Sequence, residues 1–228
     1  MTEHPGQAPA LQHCTLCRSQ ALSPLITVGE RLYWRCPQCE ATLMDASAWL
    51  SPQQERAVYE WHDNRPDDPR YRAFLGKLVT PLLARLPPGD SRGLDFGCGP
   101  GPVLGQLLEQ HGVSMARYDP AFFPDTRVLA RQYDVITCTE VIEHLHAPAQ
   151  IFARLDQCLA PGGVLAIMTC FQTDDRRFER WHYRRDPTHV VFYREATLAW
   201  VAAWRGWQLE IPVKDVALFH KPLALALK

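Results

Sequence analysis

The segment LDFGCGPG at residues 94–101 constrains the fold of this chain more than any other stretch of its sequence. A short apolar stretch and one aspartate precede three glycines that stand at every second position. Glycine lets the backbone turn tightly from a strand into a helix, and it lets a ligand approach the main chain without a Cβ in between. The segment therefore predicts a strand, a ligand-binding turn and the start of a helix.

Strand-like and helix-like stretches alternate from residue 92 onward. The strands read GLDFGC, VSMARYDP, DVITCTEV and VLAIMTC, and two of the intervening stretches, VLGQLLEQHG and AQIFARLDQCLAPGG, read as helices. The tail offers one more helix and two more strands. This alternation predicts an α/β fold with a Rossmann-like doubly wound sheet, which binds ligands at the carboxyl ends of its strands.

The glycine spacing excludes one common ligand of such sheets and indicates another. The dinucleotide fingerprint GxGxxG would need a third glycine at residue 102, which is Pro102. The spacing DFGCGPG resembles instead the first motif of class I S-adenosylmethionine-dependent methyltransferases. Later segments resemble the same family, so that the resemblance covers about residues 90–210: DVITCTEVIEHL, the Pro161-Gly162-Gly163 turn and HVVFYREATL. It implies an enzyme that uses S-adenosylmethionine as its cofactor.

The resemblance also implies where the cofactor lies. Its amino-acid portion would rest on the glycine turn with Asp95 near the ammonium group, and Asp119, at the end of the second strand, would accept both ribose hydroxyls. No residue is assigned to adenine, because the stretch between Asp119 and Asp134 is too short for the family's usual helix and third strand. Phe122 either covers adenine or fills the core. The cofactor-binding candidates are Asp95, Gly97, Cys98, Gly99, Gly101, Asp119, Pro120, Phe122, Thr139 and Glu140.

Four of the eight cysteines form two CxxC pairs near the N-terminus, at Cys14, Cys17, Cys36 and Cys39. This paired spacing is typical of a tetrahedral zinc site, and a segment this small could hardly stay folded without metal. We therefore expect a structural Zn²⁺ in a zinc-ribbon-like segment. The remaining cysteines lie singly in apolar segments, a distribution that argues against a disulfide scaffold.

Polar residues that suit a second metal site follow the DVITCTEV strand. Glu140, Glu143 and His144 share one face if their segment is a helical turn. The pattern ExxEH resembles that of ubiquinone-pathway O-methyltransferases and of small-RNA 3′-terminal ribose 2′-O-methyltransferases, in which a later histidine completes a divalent-ion site; His189 is the candidate here. The resemblance implies Mg²⁺ or Mn²⁺ and a catalytic role for all four residues. The alternative is that they cap a helix or orient the substrate without metal.

The segment RRFERWHYRRDPTH interleaves arginines with aromatic residues where this fold carries substrate-binding inserts. Such a mixture could bind a phosphate, a carboxylate or stacked bases. The alternative is a solvated amphipathic helix whose aromatic residues cap the core. The substrate-binding candidates are Arg177, Trp181, His182, Tyr183 and Arg184.

Two helices are predicted between the ribbon and the sheet. Ser51-Pro52 with Gln54 forms a capping box that opens a helix towards Trp61, and Asp68-Pro69 opens a second helix, which Pro81 should bend. The predicted units are a zinc-ribbon-like segment at 1–45, a helical linker or lid at 46–89 and a cofactor-binding domain at 90–228.

Composition bounds the partners. The chain of 228 residues carries 24 basic and 25 acidic side chains, so that no overall field draws it to nucleic acid or membrane. It has neither a signal-peptide pattern nor a long apolar run, and we expect a cytoplasmic protein. We expect O- or N-methylation of a small metabolite. An RNA or protein methyltransferase that docks its substrate on the ribbon, and a non-catalytic binding protein, are the alternatives; the oligomeric state stays open.

Overall fold

The computed structural model describes residues 10–60, 67–86 and 89–223, and within them the chain forms two β-sheets and six α-helices. The strands are β1 (Ser23–Val28), β2 (Arg31–Arg35), β3 (Thr42–Met44), β4 (Ser91–Phe96), β5 (Val113–Tyr118), β6 (Tyr133–Thr139), β7 (Leu159–Met168), β8 (Val191–Phe192), β9 (Gln208–Val213) and β10 (Val216–His220). The helices are α1 (Pro52–Tyr59), α2 (Pro69–Leu83), α3 (Val103–Glu109), α4 (Pro148–Cys158), α5 (Asp175–Phe178) and α6 (Glu195–Arg205).

The large sheet has the strand order β5-β4-β6-β7-β10-β9. The strands β5, β4, β6 and β7 run parallel, and β10 pairs antiparallel with both β7 and β9. Between β5 and β6 the chain forms only a 3-10 turn, Thr126–Ala130, which confirms that this interval holds no third strand. Strand β5 is therefore one edge of the sheet. Strand β7 begins at Leu159 and includes Pro161-Gly162-Gly163, which the sequence placed in a turn before the strand.

The small sheet joins the N-terminal ribbon to a distant part of the chain. Strands β1, β2 and β3 form an antiparallel ribbon, and β8 pairs antiparallel with the free side of β3. The apolar residues of the ribbon and part of those of the large sheet belong to one buried cluster, which includes Tyr33, Leu94 and Phe192. The division of the chain after residues 45 and 89 stays a prediction.

The helices before the large sheet begin where the sequence indicates. Ser51 and Gln54 form the predicted capping box of α1, in which the Ser51 N–H donates to Gln54 Oε1 across 2.9 Å. Helix α1 ends at Tyr59, and its predicted extension to Trp61 lies outside the described residues. Helix α2 contains Pro81 and buries its apolar face against α3 and β7. Among the described residues, none of the helices combines the length and the hydropathy that a membrane span requires.

Candidate cofactor and acceptor site

A cavity of about 900 Å³ lies at the carboxyl ends of β4, β5 and β6. Its walls come from the glycine turn after β4, from the segments that follow β5 and β6, and from α1 and α2. Parallel strands end together at this edge, so that residues far apart in sequence meet here. The cavity is therefore the candidate site.

Glycine is required at the start of the turn after β4. Gly97 has φ +75°, and a Cβ there would lie 2.4 Å from Cγ2 of Val141, inside any real contact distance. Gly99 also lies in the left-handed region, with φ 61°. The Gly97 N–H donates to the Tyr118 carbonyl across 2.7 Å, which ties the turn to the end of β5. The turn thus presents bare backbone to the cavity, as the sequence predicts.

Asp95 lies at the end of β4, buried, and lines the cavity. Burial raises the pKa of the Asp95 carboxyl to about 6, although the Thr137 hydroxyl donates to its Oδ1 across 2.8 Å and lowers the pKa. A nearby cation would stabilise the charged carboxylate in this environment. The ammonium group of S-adenosylmethionine is such a cation, so that this position fits the cofactor.

Asp119, directly after β5, holds the backbone around it. Its Oδ2 accepts from the Gly99 N–H across 3.1 Å, and its Oδ1 accepts from the Ala121 and Phe122 N–H groups across 2.8 and 3.1 Å. A carboxylate offers about four acceptor positions, and these three hydrogen bonds leave about one of them for a ribose hydroxyl. Asp119 therefore orders the glycine turn and can bind ribose as well.

The other predicted cofactor residues also line the cavity: Cys98, Pro120, Phe122, Thr139 and Glu140. The Thr139 hydroxyl is buried without a hydrogen-bond partner among the described residues. Buried polar atoms are rarely left unpaired, so that this hydroxyl indicates a ligand in the cavity. Leu129, Val141 and Ile151 add an apolar wall to which the sequence analysis assigned no role.

Glu140 stands apart from the helical turn to which the sequence assigned it. Its φ is 52°, in the left-handed region, and the 3-10 turn Ile142–His144 begins after it. Strained backbone of this kind concentrates at functional sites. Burial raises the pKa of the Glu140 carboxyl to about 7. The helical turn on which Glu140 would share one face with Glu143 and His144 therefore does not include Glu140.

Three of the four predicted metal ligands lie close enough together to share one ion. Glu143, His144 and His189 offer ligand atoms that lie within 4.8 Å of one another, and Glu140 is not among them. His189 Nδ1 contacts the Tyr183 carbonyl at 2.7 Å, and His144 Nδ1 contacts the Thr188 carbonyl at 3.3 Å. His144 Nε2 lies 3.8 Å from Glu143 Oε1. Histidines that bind metal are commonly oriented by such a contact at the other ring nitrogen.

Tyr183 connects Glu140 to this cluster. Its hydroxyl lies 2.5 Å from Glu143 Oε1 and 3.1 Å from Glu140 Oε2, and the Thr169 hydroxyl donates to Glu143 Oε2 across 3.0 Å. Glu143 is fully buried, and burial together with the Glu140 charge raises the pKa of Glu143 to about 8. The sequence analysis placed Tyr183 in the substrate-binding insert, and Tyr183 or His182 is the alternative base if the cluster binds no metal.

The rest of the insert lies away from the cavity. Arg177 is exposed, and Arg184 Nη1 donates to the Tyr33 hydroxyl across 3.4 Å. Trp181 packs against Phe178. None of Arg177, Trp181, His182 and Arg184 lines the described cavity. Their predicted role in gripping the acceptor therefore has no support in this arrangement.

Helices α1 and α2 supply cavity residues that no motif marks. Glu55 and Tyr59 come from α1, and Tyr71 and Phe74 come from α2. Glu55 Oε1 lies 2.8 Å from Nε2 of His146, which holds α1 against the segment after β6. These helices form part of the cavity wall, and a lid function stays a prediction. Only their aromatic residues on otherwise polar turns hint at this role in the sequence.

The four N-terminal cysteines meet in the ribbon. Sγ of Cys14 and Cys39 lie 3.6 Å apart, those of Cys17 and Cys36 lie 3.3 Å apart, and the Cys17 N–H points to Cys14 Sγ at 3.5 Å. All four can reach one ion. Burial raises the pKa of the Cys17 thiol to about 12. A bound cation would offset the cost of ionising this thiol, and four sulfur donors this close together fit zinc.

Comparisons with known proteins agree with this geometry. A family model described as a methyltransferase domain matches residues 68–210. The ubiquinone biosynthesis O-methyltransferase of Histophilus somni is 27% identical over 171 residues, which cover 58% of this chain and 67% of that protein. The enzyme of the same name from Xanthomonas axonopodis pv. citri is 28% identical over 139 residues, 50% of this chain and 56% of that protein. The match thus spans 56% to 67% of the length of these relatives.

A solved structure shares the fold. An O-methyltransferase family protein from Burkholderia thailandensis superposes with a TM-score of 0.50 at 15% sequence identity, covering 75% of this chain and 63% of that chain. At this identity the likeness concerns the arrangement of helices and strands alone.

Proposed function

The chain belongs to the class I S-adenosylmethionine-dependent methyltransferases, and from that premise we propose that it methylates a hydroxyl group of a small acceptor without negative charge. We further propose that Glu143, His144 and His189 hold a divalent cation, Mg²⁺ or Mn²⁺, beside the acceptor. The observation that carries this proposal is the cluster of these three side chains next to the cofactor cavity.

The character of the cavity supports a small acceptor. A volume of about 900 Å³ lies near the upper end of the range for small-molecule sites, roughly 300–1,000 Å³, which leaves room for an acceptor beside the cofactor. Glu55 and Asp186 lie in its lining, and among the described lining residues Arg154 alone carries a permanent positive charge. Such a lining disfavours an anionic acceptor.

Methyl transfer mainly requires the protein to align the acceptor oxygen with the methyl carbon of the cofactor. The acceptor oxygen attacks the methyl carbon, the carbon–sulfur bond breaks with its electron pair on sulfur, and S-adenosylhomocysteine leaves. Alignment of this kind can contribute about 7–11 kcal/mol. A bound divalent cation would supply acidity to the hydroxyl that it contacts. The hydroxyl proton passes to Glu140, which lines the cavity and whose pKa of about 7 suits a general base near neutrality.

The relatives support oxygen over nitrogen as the acceptor atom, because the curated proteins that match are named O-methyltransferases. RNA and protein acceptors form the competing class. They receive less support, because the arginines of the insert do not line the cavity. We also propose that Cys14, Cys17, Cys36 and Cys39 bind a structural zinc ion.

The test measures S-adenosylhomocysteine formed from S-adenosylmethionine with a panel of neutral diols, catechol first. We expect brief treatment with EDTA to abolish turnover and added Mg²⁺ or Mn²⁺ to restore it. The variants His144→Ala and His189→Ala should each reduce turnover at least tenfold. His111→Ala, at an exposed histidine beyond α3, is the matched control. Zinc content is measured in each sample to show that the cysteine site stays loaded. Turnover that ignores chelation and survives the double histidine variant would rule out the metal.

A further inference from the structure

We propose that the four-cysteine ribbon is a positioning part of the acceptor site, so that the ion bound by its cysteines sets the geometry of Glu143 and His189. The ribbon would then serve the chemistry directly and would not be a separate docking module. This inference rests on the proposed zinc ion and on the proposed metal site of Glu143, His144 and His189, here called the acceptor cluster. It goes beyond methyl transfer itself.

A short path of backbone hydrogen bonds carries the coupling. The Cys36 N–H donates to the Ala41 carbonyl across 3.0 Å, which fixes the residue before β3 to the cysteine cluster. The Met44 N–H, at the end of β3, donates to the Val190 carbonyl across 2.8 Å. The Val190 N–H in turn donates to the Glu143 carbonyl across 2.8 Å. A single residue, Val190, thus joins the ribbon to Glu143, and it directly follows His189.

Side chains reinforce this path at the Thr42 end of the strand pair. The Thr42 hydroxyl donates to Gln172 Oε1 across 2.6 Å, and both residues are buried. Gln172 Nε2 donates to Asp175, which also accepts hydrogen bonds from Arg35 of the ribbon and from Arg194. A buried hydrogen bond of this kind is costly to break, because it leaves a polar atom unpaired.

Aromatic packing closes the same interface. The Tyr33 ring meets the edges of Phe178 and Phe192, with ring centroids 5.0 and 6.0 Å apart. Phe192 pairs with Thr42 in the strand register. Aromatic pairs in these arrangements add about 0.5–1.5 kcal/mol beyond their buried area. The inner surface of the ribbon therefore packs against residues of the methyltransferase domain.

The cysteine cluster holds strained backbone that would relax without its ion. Arg18 and Glu40, each directly after a CxxC pair, have φ of 66° and 58°. Left-handed conformations of residues other than glycine persist only where their surroundings over-determine them. Loss of the ion would release Glu40 and Ala41, and with them the start of β3. Strand β3 has three residues, so that little of it would stay paired.

The first experiment removes zinc from the full-length protein by prolonged dialysis against a strong chelator in the presence of a thiol reductant, and follows amide hydrogen exchange. We expect the Met44 and Val190 amides to exchange at least tenfold faster and Mn²⁺ to bind the acceptor cluster at least tenfold more weakly. S-adenosylhomocysteine affinity should stay within twofold, and the Gly97 amide, which donates to Tyr118, should stay protected. Added Zn²⁺ should restore all values. Faster exchange confined to residues 13–41, with unchanged Mn²⁺ affinity, would overturn the proposal.

A variant that keeps the cysteines covers the case in which zinc removal unfolds the whole protein. Thr42→Val removes the hydrogen bond to Gln172 without changing the side-chain shape much, and Thr27→Val makes the same change on the exposed side of β1. We expect Thr42→Val to keep its zinc, to speed exchange at Val190 and to weaken Mn²⁺ binding several-fold, and Thr27→Val to do none of these. If both variants match the wild type, the ribbon does not position the site.

A different result would refute the proposed function. If zinc-loaded wild-type enzyme binds S-adenosylhomocysteine but turns over none of the diols, methylation of a small diol is wrong. The exchange rates at Val190 still decide whether the ribbon positions Glu143.

Discussion

The Tyr183 hydroxyl lies 2.5 Å from Oε1 of the fully buried Glu143. The same residue offers its carbonyl to His189 Nδ1 at 2.7 Å, so that Tyr183 orients two members of the acceptor cluster at once. Groups that orient metal ligands commonly contribute about 10- to 100-fold to metal affinity.

Replacing Tyr183 by phenylalanine should therefore weaken Mn²⁺ binding roughly 10- to 100-fold and lower kcat, while S-adenosylhomocysteine affinity stays unchanged. Calorimetry with Mn²⁺ alone and turnover assays measure the two effects. The control is Tyr133→Phe, because the Tyr133 hydroxyl donates to the Val128 carbonyl across 2.8 Å in another part of the fold. A Tyr183→Phe enzyme with wild-type kcat and Mn²⁺ affinity would contradict this role.

Replacing Asp119 by alanine should weaken cofactor binding by about 1–3 kcal/mol, the cost of losing hydrogen bonds to a charged group. Part of this loss comes from the glycine turn, since Asp119 Oδ2 holds the Gly99 N–H. Titration calorimetry with S-adenosylhomocysteine provides the measurement. Asp125→Ala removes an acid from the same segment that pairs with Arg127, and it should leave the affinity unchanged. Equal affinities for both variants would exclude Asp119 from the ribose site.

Cofactor affinity should depend on pH through Asp95, whose pKa burial raises to about 6. Above this pH the carboxylate is charged and can pair with the cofactor ammonium; below it the carboxyl is neutral, so that affinity should fall about tenfold by pH 5. Binding should then release a proton, which calorimetry in two buffers of different ionisation enthalpy detects. Asp95→Asn should bind weakly and without this pH dependence, and a flat wild-type profile would refute the pairing.

The same shift predicts how the free enzyme responds to pH. Because the folded-state pKa of Asp95 lies above the value of an unfolded chain, about 3.9, the folded protein holds more protons between these values. The contribution of Asp95 to stability is therefore present at low pH and is lost as pH rises through about 6. Comparing the pH dependence of urea midpoints for wild type and Asp95→Asn measures this contribution.

Protein purified without added metal should carry one zinc ion per chain, and Cys36→Ser should lose it and melt at a lower temperature. The four thiols lie close enough to share one ion, and a structural zinc site contributes directly to folding. Cys170→Ser changes a cysteine outside the ribbon and should keep its zinc. Elemental analysis and thermal melts measure both effects. Stoichiometric zinc in Cys36→Ser would show that the cysteines do not form this site.

The local structure around the predicted cofactor residues could be foreseen from the sequence because local rules determine it. A strand, a glycine turn and a helix follow one another within residues 91–109, and the acid after the next strand completes the binding surface. The missing third strand was also foreseeable, since the length of the interval sets a limit that no packing can change.

The acceptor half was harder to predict because it depends on tertiary packing. Helical spacing would put Glu140 and Glu143 on one face of a helical turn, yet Glu140 has left-handed backbone and approaches Glu143 through the Tyr183 hydroxyl, which contacts both carboxyl groups. No sequence pattern signals that conformation. The residues Tyr59 and Tyr71 reach the cavity only through the packing of α1 and α2. The pairing of β3 with β8 could not be predicted, because a two-residue strand leaves no periodic pattern.

That pairing also bears on how the protein is made. It joins Thr42 to Phe192, 150 positions apart, and contacts so distant in sequence form slowly. During synthesis β3 would remain an exposed edge strand until most of the protein had left the ribosome. Such an edge is prone to pairing with other chains. The cofactor half, built from neighbouring segments, could be complete well before then. Newly made chains would therefore gain the ability to bind cofactor first and the ability to use it last.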